Sequence, residues 1–229
     1  MSLRLTERLL TVAGRVPRGG RLADVGTDHA YLPTWLLLEG HIPSAIATDL
    51  RSGPLGRAGE TVRSYGVEDR VSLRLCDGLA GVRPEEVDSV VVAGMGGETI
   101  LHILGDAPWV EDKVCIVQPM SSLSDLRAGL GTLGLHVARE TLAREGETLY
   151  VVMDLARGAE RPLTPAEMWV GRAENHWDDP LWGQYLRQEQ GRVRRALDGI
   201  LRGKNGDTEG QREELEAILT GLTDMMEGV

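Results

Sequence analysis

Five short apolar segments recur in the first half of the chain, and each reads as a buried strand: residues 21–25 (RLADV), 44–49 (SAIATD), 71–77 (VSLRLCD), 87–94 (VDSVVVAG) and 113–119 (KVCIVQP). Between them lie segments with helix-like patterns, at about 30–39, 52–65, 97–104 and 121–131. This alternation predicts a parallel sheet with crossover helices on its faces. The rhythm then changes. Residues 133–143 and 147–158 are two strand patterns joined by the turn REG, which predicts a hairpin antiparallel to whatever it joins. The expected fold class is therefore α/β, a Rossmann-like sheet of seven strands ending in an antiparallel hairpin. A dinucleotide-binding domain would more often close with a sixth parallel strand.

Helices are expected at both ends. Leu5, Leu9, Leu10 and residues 12–16 form an amphipathic pattern that stops near Pro17. Residues 156–165 (ARGAERPLTP) read as a linker. Beyond it Leu181, Trp182, Tyr185, Leu186, Val193, Leu197, Ile200 and Leu201 make one apolar stripe, and Leu215, Ile218, Leu219, Leu222 and Met226 a second, with a break at 203–210. The pattern predicts a sheet domain over 1–158 and an α-helical, coiled-coil-like hairpin over 159–229.

Composition narrows the class. The chain has 229 residues, 41% apolar and 26% charged, as for a globular protein with a full core. No apolar run approaches the ~18 residues of a membrane span, and the N-terminus lacks the apolar core of a secretory signal. Cys76 and Cys115 belong to no metal-ligand spacing and read as reduced thiols packed in the core of a cytoplasmic protein. No metal is expected, and the chain is taken as a monomer. The net charge of −10 argues against nucleic acid as a partner. Its distribution is uneven. Residues 1–22 carry Arg4, Arg8, Arg15, Arg18 and Arg21 against Glu7, and residues 187–204 carry five arginines and Lys204 against Glu189 and Asp198. Two basic patches fit a phosphate-rich partner, and they equally fit two solvated helix faces.

In an open parallel sheet, ligands bind beyond the carboxyl ends of the strands. There the first segment offers Asp24, Gly26, Thr27, Asp28 and His29, the second Asp49 and Leu50, and the third Asp77 and Gly78. The fourth offers Ala93, Gly94, Met95, Gly96 and Gly97, and the fifth Gln118 and Pro119. Asp49 lies 23 residues past Gly26, where a carboxylate accepts both hydroxyls of a ribose. The first turn separates two nucleotide cofactors. A pyrophosphate wants backbone N–H groups and no anion, yet Asp28 stands where the dinucleotide motif has its second glycine, and it would repel phosphate. S-adenosylmethionine reverses the sign, because its sulfur and amino group are both cationic. Asp28 reads equally well as a helix cap for the segment from Ala30.

Taken together, DVGTDHAYLP, IATDL, CDGL, VVVAGMGG and VQP, in this order, resemble the bacterial tRNA (adenine-N1) methyltransferases that modify adenine 22, over residues 3 to 156. The resemblance implies a class I methyltransferase fold, S-adenosylmethionine as methyl donor and tRNA as acceptor. It implies that Asp24, Gly26, Asp28 and His29 surround the methionine part, that Asp49 takes the ribose, that Asp77 and Gly78 meet the adenine, and that Thr27 and Leu50 belong to the same cofactor site. Ala93, Gly94 and Met95 would complete the cofactor site. Asp28 is the expected catalytic residue. His29, Tyr31, Gly96, Gly97, Gln118 and Pro119 are expected against the target nucleotide, with Arg15, Arg18, Arg192, Arg194 and Arg195 along the tRNA. Rival expectations are the same fold acting on a small molecule or a protein, and a nucleotide-binding scaffold without activity.

Overall fold

The computed structural model describes residues 3–176, 178–202 and 209–228. It contains one seven-stranded sheet ordered β3-β2-β1-β4-β5-β7-β6. The strands are β1 (Leu22–Val25), β2 (Ala45–Asp49), β3 (Val71–Leu75), β4 (Ser89–Gly96), β5 (Val114–Ser121), β6 (Leu135–Glu145) and β7 (Thr148–Arg157). The first five are mutually parallel, while β7 runs antiparallel to both β5 and β6. The β6–β7 turn passes through Gly146 at φ +58°. The antiparallel hairpin is the one expected from the change of rhythm after residue 131. β1 is flanked by β2 and β4, so the connection direction reverses between β1 and β4, and a crevice opens there at the strand carboxyl ends.

The strand sequences are nearly unbroken apolar runs because both faces are covered. On one face Leu22, Ala45, Ala47, Val91 and Ile116 meet α1 (Glu7–Arg15), α2 (Tyr31–Leu38) and α3 (Ser52–Ser64), through Val12, Leu36, Leu37, Ala58 and Val62. On the other, Ala23, Val25, Val90, Val92 and Val117 meet α4 (Gly97–Gly105) and α5 (Leu123–Leu130), through Ile100, Leu104, Leu126 and Leu130. That second core continues without a break into α6 (Pro165–Val170), α7 (Trp182–Arg202) and α8 (Glu209–Glu227), reaching Leu186, Val193, Ile218 and Leu222. The helices after residue 158 are thus packed on the sheet's own core. The expected break at 203–210 lies mostly outside the described residues.

A buried ionic cluster fastens this junction. The Arg127 guanidinium of α5 donates to both carboxylate oxygens of Glu140 on β6, at 2.9 and 3.0 Å, and to the carbonyls of Met168 and Trp169 on α6. His176 Nε2 lies 2.6 Å from Glu140, and its ring stacks on Trp182. The Glu140 carboxyl is itself destabilised by burial, but the Arg127 and His176 partners hold it ionised down to about 2. The cysteines depart from expectation in one respect. Cys115 is buried, and desolvation pushes its thiol up to about 12, whereas Cys76 is only half-buried, because β3 is the sheet's edge strand.

Candidate functional site

The turn after β1 is pinned before it is functional. The N–H groups of Gly26 and Thr27 both donate to the Thr48 carbonyl on β2, at 2.8 and 3.0 Å. Gly26 has φ +70°, and a Cβ there would collide with the Met95 methyl, so Met95 lies across the turn. Asp28 and Ala30 follow at φ +45° and +53°. Two non-glycine residues in the left-handed region within three positions carry strain that mostly persists at functional turns. They also settle the alternative at Asp28. The cap position of α2 is Ala30, with no side-chain cap, so Asp28 is not a helix cap.

The carboxylates differ in state. Asp24 is buried, and among the described residues its side chain has one polar partner, the Thr27 hydroxyl, which donates to it at 2.5 Å. Desolvation outweighs that hydrogen bond and lifts the Asp24 carboxyl to about 6. Asp28 is exposed and ion-paired with Arg57 of α3 at 2.5 Å, with His29 Nε2 at 3.7 Å. The His29 ring stacks in parallel on Tyr31, centroids 5.0 Å apart. Asp49 is buried and accepts the Arg51 N–H at 2.9 Å, while its neighbour Leu50 is 65% exposed. An exposed leucine next to a buried acid is an apolar floor beside a polar clamp. Thr48 donates to the Gly78 carbonyl, which draws the loop of exposed Asp77 and half-buried Gly78 against β2. Gly78, at φ +50°, presses on Ile103 of α4. Across the crevice, Ala93, Gly94 and Met95 descend from β4, and Gly94 is exposed at φ +81°. The expected residues of β1, β2, β3 and β4 therefore converge at one carboxyl-end crevice.

Other expectations need correction. Gly97 is buried, and a Cβ on it would collide with the Ser122 carbonyl and stand 3.0 Å from Leu126 Cβ. It lets α4 approach α5 and does not face a substrate. Gln118 is fully buried: its side-chain carbonyl accepts from Arg8 at 2.5 Å, and its amide donates to the Pro119 carbonyl at 2.7 Å. Its polar atoms are thus used to brace the end of β5, and Pro119 beside it is largely buried, with one side on a neighbouring cavity. Arg15 is committed to an ion pair with Asp154 of β7. Arg18 lies in the loop entering β1, at the amino ends of the strands and so opposite the crevice. The cations of α7 fare differently: Arg192, Arg194 and Arg195 are exposed, although Arg192 also bonds Glu189 at 2.8 Å.

Two residues at the crevice were not anticipated. Arg57 holds Asp28, and Arg8 reaches from α1 to within 4.0 Å of where a Cβ on Gly94 would stand. Arg8 also lies over the Tyr150 ring, 5.7 Å from its centre. In the sequence Arg8 is one of the N-terminal cations and Arg57 one residue of a helix pattern, and no local signal distinguishes either.

A family described as "Methyltransferase domain" matches residues 5–153. The chain belongs to this methyltransferase family. The match begins just before α1 and ends in β7, so it takes in every strand end of the crevice. Among curated relatives, the tRNA (adenine(22)-N(1))-methyltransferase of Bacillus subtilis is 42% identical over 153 residues, 66% of this chain and 64% of that protein. The chain thus spans just under two thirds of that relative's length in the alignment. In three dimensions the coverage is complete. The crystal structure of the B. subtilis M1A22 tRNA methyltransferase TrmK superposes with a TM-score of 0.85 at 26% identity, over 98% of this chain and 100% of that one. A Streptococcus pneumoniae protein solved in complex with S-adenosyl-L-methionine superposes with a TM-score of 0.83 at 28% identity, over 97% and 100%. The helical hairpin is therefore part of the shared fold.

Proposed function

We propose that this methyltransferase takes S-adenosylmethionine as donor and methylates N1 of an adenine in tRNA, adenine 22 by likeness to the B. subtilis relative. The observation that carries the donor is Asp24: a buried carboxyl with one hydroxyl partner, raised to about 6, waits for a cation at the switch point of the sheet. Asp24 fits the ammonium of the methionine part, Asp49 the ribose hydroxyls, and Leu50 and Gly78 the faces of the adenine. When bound, S-adenosylmethionine supplies an electrophilic methyl group.

The remaining chemistry asks little of the protein. Adenine N1 carries a free lone pair and needs no deprotonation before it attacks. Alignment of the reacting atoms contributes up to ~7–11 kcal/mol in favourable systems. As N1 gains positive charge, a carboxylate stabilises it or accepts a proton from the 6-amino group. Asp28 is assigned that role, with Arg57 fixing its direction in the free chain. His29 and Tyr31, already stacked, offer a platform at the rim for an unpaired base. Arg194 and Arg195 face the phosphates, with a cytoplasmic RNA as the partner.

The test is incubation with labelled S-adenosylmethionine and unmodified tRNA, followed by nucleoside mass spectrometry. Label in 1-methyladenosine is expected; label in another nucleoside, or none, refutes the assignment. Asp28→Asn should bind the donor normally and turn over slowly. Turnover close to wild type removes Asp28 from the mechanism.

A further inference from the structure

Beside the crevice, past the carboxyl end of β5, lies a cavity of about 520 Å³ that the donor site does not use. Its walls come from Met120 of β5, Leu149 and Tyr150 of β7, Trp169 of α6, and Glu189 and Arg192 of α7. It adjoins the centre directly, since Pro119 on its wall pairs in register with Met95.

Three features of this cavity are built. Met120 is 48% exposed, an apolar surface left open where the fold had buried alternatives. Tyr150 is held in place from behind by the Arg8 guanidinium over its ring. Glu189 is 5% exposed, on a helix whose other carboxylate, Asp198, is exposed. Its two oxygens take one hydrogen bond each, from Trp169 Nε1 at 3.1 Å and from Arg192 at 2.8 Å. A carboxylate has about four acceptor positions, so roughly half of its capacity remains for a visitor. Burial raises the Glu189 carboxyl above its ordinary range against the pull of Arg192. A buried acid beside an aromatic wall costs stability, and these two hydrogen bonds offset only part of that cost.

We propose that this cavity receives one unstacked purine nucleotide of the RNA substrate. Tyr150 and Met120 pack against the base, Glu189 accepts its exocyclic amine, and the exposed edge of Arg192 meets its phosphate. Placed between the donor crevice and the cations of α7, the nucleotide would set the register of the RNA and make Glu189 a specificity determinant. The proposal rests on the chain acting on RNA, and the experiment separates the two.

The protein is saturated with S-adenosylhomocysteine to occupy the donor site. Binding of adenosine 5′-monophosphate and of purine riboside 5′-monophosphate, which lacks the 6-amino group, is then measured by calorimetry. The expected result is saturable binding of adenosine monophosphate, about tenfold tighter than its analogue, as for a hydrogen bond to a charged group. Glu189→Leu should abolish that preference, and Arg192→Ala should weaken both ligands alike. If Glu189→Leu does not fold, as judged by its affinity for S-adenosylhomocysteine, Glu189→Gln should narrow the preference. No saturable binding to the wild type, or a preference that survives in a folded Glu189→Leu protein, overturns the proposal. Should adenosine monophosphate bind as described while tRNA takes no methyl group, the assignment of the reaction fails and the nucleotide subsite stands.

Discussion

Replacing Asp24 with asparagine should make the free protein more stable at neutral pH and worse at holding its donor. The side chain keeps its shape, and the carbonyl of the new amide can still accept from the Thr27 hydroxyl. Only the charge goes. In the folded chain the carboxyl sits near 6 against an ordinary 3.8, because burial disfavours the ion. The folded state therefore binds this proton more tightly than the unfolded state. The proton's contribution is whole below pH 3.8 and is lost as pH rises through 6. A gap of about two pH units, at 1.36 kcal/mol each, makes ionised Asp24 a cost of ~3 kcal/mol. In a domain of this size 1 kcal/mol moves the melting point by about 2–4 °C. Asp24→Asn should therefore melt about 6–12 °C above wild type at pH 8, with the difference shrinking toward zero near pH 4. Scanning calorimetry of both ligand-free proteins from pH 4 to 8 measures it. Affinity should move the other way. Wild-type binding of S-adenosylmethionine should weaken by up to tenfold per pH unit below 6, while Asp24→Asn binds more weakly throughout and without that slope. A melting difference that stays constant between pH 4 and 8 would refute the claim that Asp24 is held as a desolvated acid awaiting a cation.

Four further outcomes follow from the same geometry. Glu140→Gln leaves the Arg127 guanidinium buried without its counter-charge and should cost about 3–5 kcal/mol by urea unfolding. In the wild type the Glu140 carboxyl is depressed to about 2, so the stability it lends is present above about 4.5 and drains away as pH falls toward 2, which acid titration of the fold will register. Gly97→Ala sets a methyl group against the Ser122 backbone and should destabilise by roughly 1–3 kcal/mol while S-adenosylmethionine affinity in the folded fraction stays near wild type. Asp49→Ala should do the reverse, lowering donor affinity by about ten- to a hundredfold through lost charge-assisted hydrogen bonds, with a small change in melting point.

The parts of the fold legible in the sequence are those where one physical rule acts alone. Strands buried on both faces must be apolar throughout, so VVV and IVQP announce themselves. A hairpin needs a short glycine turn, so REG does too. The crevice was legible for a related reason: Asp24, Asp49 and Asp77 interrupt or end apolar runs at a place where a carboxylate is unfavourable. What stayed hidden depends on partners distant in sequence. Nothing near Gly97 says that the Ser122 carbonyl fills its Cβ position, and nothing near Gln118 says that Arg8 will cross from the first helix to bond it. Glu189 reads as one acid on a basic helix face; only the packing of α6 and α7 buries it beside Trp169.

Charge summed along a segment misled most where it looked clearest. The first cationic cluster, Arg8 to Arg21, is largely neutralised inside the protein: Arg8 lies near Glu145, Arg15 binds Asp154, and Arg21 binds Asp88. Each partner stands on or beside a strand far along the chain. Net charge over a window counts residues that are neighbours in sequence, whereas the potential at a surface is set by neighbours in space. On α7 Glu189 draws back Arg192, while Arg194 and Arg195 stay exposed. If the substrate is the RNA proposed above, its phosphates would meet the exposed cations of α7, and the paired Arg15 and Arg21 would add little. The salt dependence of tRNA binding checks this directly. Arg194→Ala and Arg195→Ala should each lower the slope of log K against log salt by up to about one, and Arg15→Ala and Arg21→Ala should leave it unchanged.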